Sequence, residues 1–543
     1  MLERAAARVR LAGSRSRLQR RIVEQAKHYL VRSSRHDSLR YVNSRIYDAM
    51  ELLIRARLAD VEGVRAIYLC HGLAAGECYP GLSDFDLAVV FDDPEPIEFY
   101  DRFRRRWGSL KRYLPIADLS LMTVAEFETW QKIGGGWDPL DEVRHWRLLT
   151  GTDLRHHDAN LTGDAAAMDR MQWALGHFQN LIGVAIKEEP KSPLMAIIAR
   201  RQLHKCFWNS TLAMHPKYMA IATHRARVNA WLEDHGKPEP VAALQKMYDA
   251  QFTAGPVTTA RFEAAALAWK LLDEALAKEP LVQRPLPLPV STGTPVPIVN
   301  AEQVEERMAA YRDSLLEMIG GATESIVLSS TGTIRGYALY IVLRDGLDQA
   351  EIVSALRDIR AVHRVFDDPW FNEHFPAGVP IVCSRSMFLA RLETGRSSLH
   401  YFHFFRRVLH GTDLYGQARE RFGHAQSADT HRHDWERERL IFSLNLHQVY
   451  LARLKPALHD YVTFYYPRLS LQRETDSAPA TAEEAVVEFA SRRDDADGEV
   501  PAEMLSTYRG KDLDVLLRTM SLDAFPKAWP LLRKGILSAG TAR

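Results

Sequence analysis

Two kinds of apolar periodicity alternate along the first 280 residues. Short unbroken runs, Ala66-Ile67-Tyr68-Leu69-Cys70 and Leu87-Ala88-Val89-Val90-Phe91, read as buried strands, and Ile116 to Leu121 offers a third. Further on the spacing changes to three and four. Met168, Met171, Leu175, Phe178, Leu181 and Ile182 share one face, which predicts a helix over 164–187 with Asp164 as its N-cap. A second helix is predicted over 193–215. Near the start, Leu18, Ile22, Val23, Ala26, Tyr29 and Leu30 fall on one helical face. The pattern predicts an α+β protein, rich in helix, with a mixed sheet followed by a helical subdomain.

The pattern then repeats. Leu114-Pro115-Ile116-Ala117-Asp118-Leu119-Ser120 parallels Val379-Pro380-Ile381-Val382-Cys383-Ser384-Arg385. His145 to Leu154, with its Gly151-Thr152-Asp153-Leu154, parallels Phe405 to Leu414, with Gly411-Thr412-Asp413-Leu414. Ordered matches of this kind predict two tandem copies of one core. Between them, residues 281–297 carry five prolines and read as an extended tether. The expected organisation is a basic N-terminal helix (1–45), a first core (46–160), a helical subdomain (161–280) and a linker (281–299). A second core (300–425) and a C-terminal helical subdomain (426–543) follow, the two halves forming an intramolecular pseudo-dimer.

Composition narrows the partners. Seventy basic and 69 acidic residues give a net charge of +1, which disfavours an overall polyanion binder, although residues 1–40 hold eleven basic against three acidic side chains. Four scattered cysteines without Cys-x-x-Cys spacing argue against a disulfide scaffold or a zinc finger and fit a cytoplasmic setting. No apolar run is long enough to span a bilayer. His156-His157-Asp158 lacks a third ligand at metal-site spacing and reads as a solvated loop.

The chemistry concentrates at Ser83-Asp84-Phe85-Asp86. Carboxylates at i and i+2 of an extended strand share a face, and the apolar run behind them holds them at a rigid end. A glycine turn, Gly72 to Gly76, lies upstream, where backbone N–H groups can approach phosphate oxygens. Asp118, on the third strand, offers another carboxylate. Hard oxygen donors in such a set suit Mg²⁺, leaving coordination positions for phosphate and water.

This constellation resembles the nucleotidyltransferase superfamily of the DNA polymerase β type, which includes aminoglycoside and protein adenylyltransferases. The likeness covers Gly72, Ser83-Asp84-Phe85-Asp86-Leu87 and Asp118; it departs at Leu73, where the family carries Ser or Gly. The resemblance implies two Mg²⁺ ions, with Mn²⁺ able to substitute, held by Asp84, Asp86 and Asp118. It implies ATP or another NTP held by Gly72, Leu73, Gly76 and Ser83, with Arg201, Lys205 and Lys217 contributed by the helical subdomain. NMP would pass to a hydroxyl of a small molecule or protein. The alternatives are a non-catalytic nucleotide sensor or scaffold and a nucleic-acid end-modifying enzyme. In the second copy Gly336, Ala338 and Cys383 stand where the acids are expected, so that copy is read as degenerate.

Overall fold

The computed structural model describes residues 25–422, apart from segments at 35, 93–95, 134–142, 157–163, 189–191, 250–259, 279–300, 331–336, 376 and 394–405. Leu440, Leu444 and His447 are described as well. The tether and most of the expected N- and C-terminal segments lie outside these residues. The chain is α+β and helix-rich, with two four-stranded mixed sheets. Among the described residues no helix is long and apolar enough to cross a membrane.

In the first sheet the strands are β1 (Val64–Leu69), β2 (Phe85–Phe91), β3 (Ile116–Thr123) and β4 (Arg147–Gly151), in the order β3-β2-β1-β4. β1 runs antiparallel to β2 and β4, whereas β2 and β3 are parallel. Alternation sorts their side chains onto two faces. Ile67, Leu69, Phe85, Leu87, Val89 and Phe91 face helices α1 (Asp37–Leu58) and α3 (Pro96–Tyr113). Ala66, Tyr68, Ala88 and Val90 face Phe127 and Trp130 of α4 (Val124–Ile133), where Leu440 and Leu444 also pack.

The second sheet repeats this arrangement. Its strands are β5 (Thr323–Ser330), β6 (Tyr337–Leu343), β7 (Ile381–Ser384) and β8 (Arg406–Gly411), in the order β7-β6-β5-β8 with the same directions. Even the irregularities recur. The β1–β2 ladder shifts register between Val64 and Ala66, and the β5–β6 ladder shifts between Thr323 and Ser325. Gly151 (φ +91°) and Gly411 (φ +74°) end β4 and β8, each in the left-handed region. A Cβ at Gly151 would stand 2.0 Å from the Arg65 carbonyl oxygen, and one at Gly411 would stand 1.9 Å from that of Glu324. Both positions therefore require glycine.

The ladders also correct the sequence pairing of Asp118 with Cys383. Val90 lies opposite Met122, and Val342, its counterpart, lies opposite Cys383. Counting back along the chain sets Asp118 against Val379, a buried apolar residue ahead of β7. The next element agrees. Thr123 Oγ1 accepts the Glu126 N–H at 3.2 Å, and Ser384 Oγ accepts the Met387 N–H at 3.1 Å, each capping the following helix. Leu-Pro-Ile and Val-Pro-Ile are alike in sequence but stand at different ladder positions, because β7 is shorter than β3. The pairing of Asp86 with Ala338 stands: Leu69 faces Leu87 beside it, as Leu328 faces Leu339 beside Ala338.

The halves share their cores. One apolar cluster joins α5 (Asp164–Ile186), α6 (Pro193–Ala213) and α10 (Ala260–Lys278) of the first half to the second sheet. The same cluster includes α11 (Ala301–Ile319), α12 (Gln349–Phe366) and α14 (Arg385–Glu393). Polar contacts cross the same boundary. Ser384 Oγ donates to Asp273 at 2.6 Å, and Arg391 donates to the Gln179 side-chain oxygen at 2.5 Å. In the other direction, Leu440 and Leu444 close the first sheet. Each sheet thus has a face covered by chain from the opposite half.

Candidate active site

β1 delivers the chain to the site. Past Leu69, the Cys70 N–H donates to the Asp86 carbonyl oxygen at 2.8 Å, tying the turn to the acidic strand. His71 then adopts φ +57°, the one positive value on a non-glycine residue among those described. A short helical turn, α2 (His71–Ala74), follows, and the Glu77 N–H returns to the Gly72 carbonyl oxygen at 2.8 Å. Leu73 sits half-buried against the apolar core under β1 and β2. Its place in the turn is a packing position, which accounts for leucine where the resemblance expects a small residue.

The segment leading to the acids is braced from below. Tyr47 donates its hydroxyl proton to the Ser83 carbonyl oxygen at 2.9 Å and accepts the Gly81 N–H at 3.0 Å. Its ring stacks on Phe85 with centroids 5.7 Å apart. Ser83 Oγ accepts the Tyr79 N–H at 2.8 Å, so this hydroxyl closes the turn ahead of the acids. Gly81 (φ +84°) lets the helix at 25–33 come close: a Cβ there would stand 2.7 Å from the Lys27 carbonyl oxygen. With this support Asp84 is exposed and Asp86 half-buried, on the parity of Ala88 and Val90.

A cleft of about 1070 Å³ opens over these residues. One wall holds His71, Gly72, Leu73, Ser83, Asp84 and Asp86. The opposite wall is α6, which presents Arg201, Gln202, His204, Lys205 and Asn209. The Arg201 guanidinium lies 4.2 Å from the Tyr79 ring centroid, which holds it beside the turn that carries Ser83. Lys205 follows one helical turn later, about 6 Å along the axis. Two of the three predicted acids, Asp84 and Asp86, and two of the three predicted cations therefore line one space. The third does not: Lys217 is exposed, pairs with Asp234 at 2.7 Å and is absent from the cleft lining. Gly76 (φ +78°) closes the turn but is likewise absent from the lining. Asp118 is in β3, parallel to and beside β2; its side chain is outside the described residues.

Further lining groups escaped the sequence reading. His71 stacks on Trp173, with centroids 6.3 Å apart, and Trp173 meets His177 edge-on at 4.4 Å. Trp173 falls within an apolar periodic run and reads as core, whereas the place of His71 beside Gly72 was the one signal that could have found it. A third wall comes from α8 (His224–His235) and the segment after it, with His224, Arg225, Arg227, Asn229, Lys237 and Gln245. Glu77 fixes that wall, its Oε1 accepting the Arg225 N–H at 3.0 Å.

Burial, and secondarily charge, shifts titrating groups in and behind the cleft walls. Burial pushes His224 down to about 3, helped by His204, Arg227 and Lys205. His177 falls to about 3 as well, by burial and then by Lys205, His71 and His224. Burial lifts the Cys78 thiol to about 11, so it stays protonated and unreactive at neutral pH. The Tyr47 hydroxyl rises to about 12 through burial, with Asp84 among the contributors and Arg201 opposing.

Asp84 and Asp86 fit a hard divalent ion in donor type, two carboxylates opening on one cleft. Among the described residues no group of three or more His, Cys, Asp or Glu comes together in a ligating cluster. No family model matches the chain, and no curated protein or solved structure matches it.

Proposed function

We propose that the chain is a metal-dependent nucleotidyltransferase working in this cleft. The observation that carries the reading is that Asp84 and Asp86 line the same space as Gly72 on one side and Arg201 and Lys205 on the other. Acids alone would suit many cations, and bases alone many anions. Facing each other, they suit a metal–triphosphate.

Asp84 and Asp86 would hold the ion, with Asp118 on the adjoining strand as the further donor. Bound there, Mg²⁺ or Mn²⁺ supplies Lewis-acid polarisation of phosphate oxygens. Gly72 offers open backbone at the turn: an added Cβ would meet nothing closer than the Glu77 carbonyl oxygen at 3.6 Å. Arg201 and Lys205 would neutralise phosphate charge, Arg201 from its place over the Tyr79 ring. The acceptor hydroxyl oxygen bonds to the α-phosphorus and the bond to pyrophosphate breaks. The hydroxyl proton leaves to a carboxylate, for which Asp118 is the candidate.

Incubating the full chain with each labelled NTP and Mg²⁺ or Mn²⁺ tests the reading through pyrophosphate release, self-labelling or labelling of an added acceptor. Binding without turnover favours the nucleotide-sensor alternative, which Leu73, packed at a phosphate-contact position, also favours. Neither binding nor turnover removes both.

A further inference from the structure

The cleft is larger and more cationic than one metal–nucleotide requires. At about 1070 Å³ it lies at the top of the range for small-molecule sites, roughly 300–1,000 Å³. Its described lining carries six Lys or Arg residues, namely Arg40, Arg201, Lys205, Arg225, Arg227 and Lys237, against the carboxylates Glu77, Asp84 and Asp86. Three of these cations, Arg225, Arg227 and Lys237, come from the segment running from 224 to 245.

That region is a built wall. Arg227 donates to the Ile221 carbonyl oxygen at 2.6 Å and to that of Met219 at 3.4 Å, so its buried guanidinium is fixed in place. His204 Nε2 accepts the Trp208 indole N–H at 3.1 Å, and the Gln245 side chain of α9 (Glu239–Asp249) lies 3.5 Å from it. The Glu77–Arg225 main-chain bond seats the start of α8 while leaving the Arg225 side chain exposed. Lys237 is exposed just past Gly236, which turns the chain at φ +75°. Burial first, and then neighbouring cations including Lys205, lower the basicity of His224 and His177.

We infer that this wall, centred on Arg225 and Lys237 with His224 and Gln245 beside them, is a second anion subsite. It would receive an acceptor that carries a phosphate monoester as well as its reacting hydroxyl. The inference rests on the nucleotidyl-transfer reading for the role of acceptor, though not for anion binding itself. A dianionic phosphate fits better than an uncharged polyol, because the Arg225 and Lys237 side chains are exposed cations and the neighbouring carboxylate, Glu77, is engaged by the Arg225 main-chain N–H.

The test uses the full-length protein, Mn²⁺ and α,β-methylene-ATP, with glucose 6-phosphate and glucose as probes in titration calorimetry. At saturating nucleotide analogue, glucose 6-phosphate should bind at least tenfold tighter than glucose, and raising the salt concentration should erode the difference. Arg225→Gln with Lys237→Gln should abolish the preference while changing nucleotide affinity less than twofold. Equal binding of the two sugars, or no binding of either, would overturn the subsite. So would a double variant that weakens the nucleotide as much as the sugar phosphate, since these cations would then belong to the triphosphate. Failure of the nucleotide reading shows separately: the analogue then does not bind, and the sugar-phosphate preference is measured without it.

Discussion

Glu126 and His447 are joined by a hydrogen bond of 2.7 Å between buried side chains from opposite halves of the chain. A carboxylate oxygen only accepts, so His447 Nε2 carries the proton and Nδ1 faces the Tyr100 hydroxyl. The same Glu126 oxygen accepts the Thr123 N–H at 2.7 Å, so the contact reaches back to the end of β3. A second-half imidazole is thereby built into the support of the first sheet.

His447→Ala removes one donor to a buried carboxylate and leaves a void. The expected cost is about 2–3 kcal/mol in denaturant unfolding. An unchanged midpoint would show that the halves are held without this contact.

Asp84→Asn and Asp86→Asn keep shape while removing charge. Each should lower nucleotidyl transfer by on the order of 10³-fold, as expected when metal assistance worth several kcal/mol is lost. Since Asp84 is exposed and Asp86 half-buried, the unfolding midpoint should move little. Activity retained in the double variant would end the assignment.

Leu73→Ser restores the residue type that the resemblance expects but removes a side chain packed on the core under β1. A half-buried leucine predicts a stability loss of about 1 kcal/mol, seen as a lower melting temperature. Nucleotide affinity measured below that temperature then reports the hydroxyl separately.

Gly151→Ala and Gly411→Ala should each destabilise by about 3 kcal/mol, because the added Cβ would overlap a neighbouring carbonyl oxygen and φ is positive. Gly76→Ala meets open space, so only the positive φ opposes it, at roughly 1 kcal/mol. Comparable losses at 151 and 411, with a small one at 76, would match the repeated architecture.

Asp273 predicts a pH dependence of stability. Burial raises its carboxyl to about 6, although the Ser384 hydroxyl and the Trp269 side chain favour the ionised form. A carboxyl raised on folding binds its proton more tightly in the folded state. Its stabilisation is therefore complete below the unfolded pKa, about 4, and fades as pH rises through about 6. His177 and His224, both depressed, act oppositely: their contribution is present above about 6.5 and fades as pH falls toward about 3. The difference between wild type and Asp273→Asn isolates the carboxyl. The variant should gain relative stability between pH 4 and pH 7, by at most about 3 kcal/mol. A flat difference would place Asp273 in contact with water in the folded state.

Local pattern alone determined much of this protein. The apolar runs at 66–70 and 87–91 became β1 and β2, the spacing of three and four over 164–187 became α5, and the i, i+2 rule set Asp84 and Asp86 on one face. Such features depend on period and on neighbours in the chain, so they survive without knowledge of the fold. Arg201 and Lys205 were legible as cations on a helix, but only the packing of α6 across from Asp84 separated them from Lys217, which the same reasoning chose and which turns to Asp234. The repeat of β1–β4 in β5–β8 was legible too, whereas the partner of Asp118 was not, because strand length and register are fixed by ladders rather than by matching tripeptides. What no linear pattern carried was the exchange of cover between the halves. Whether Leu440 and Leu444 close their own sheet or the other one is a choice between apolar faces, decided by shape and, among the described residues, by the polar fit of His447 to Glu126 and Tyr100.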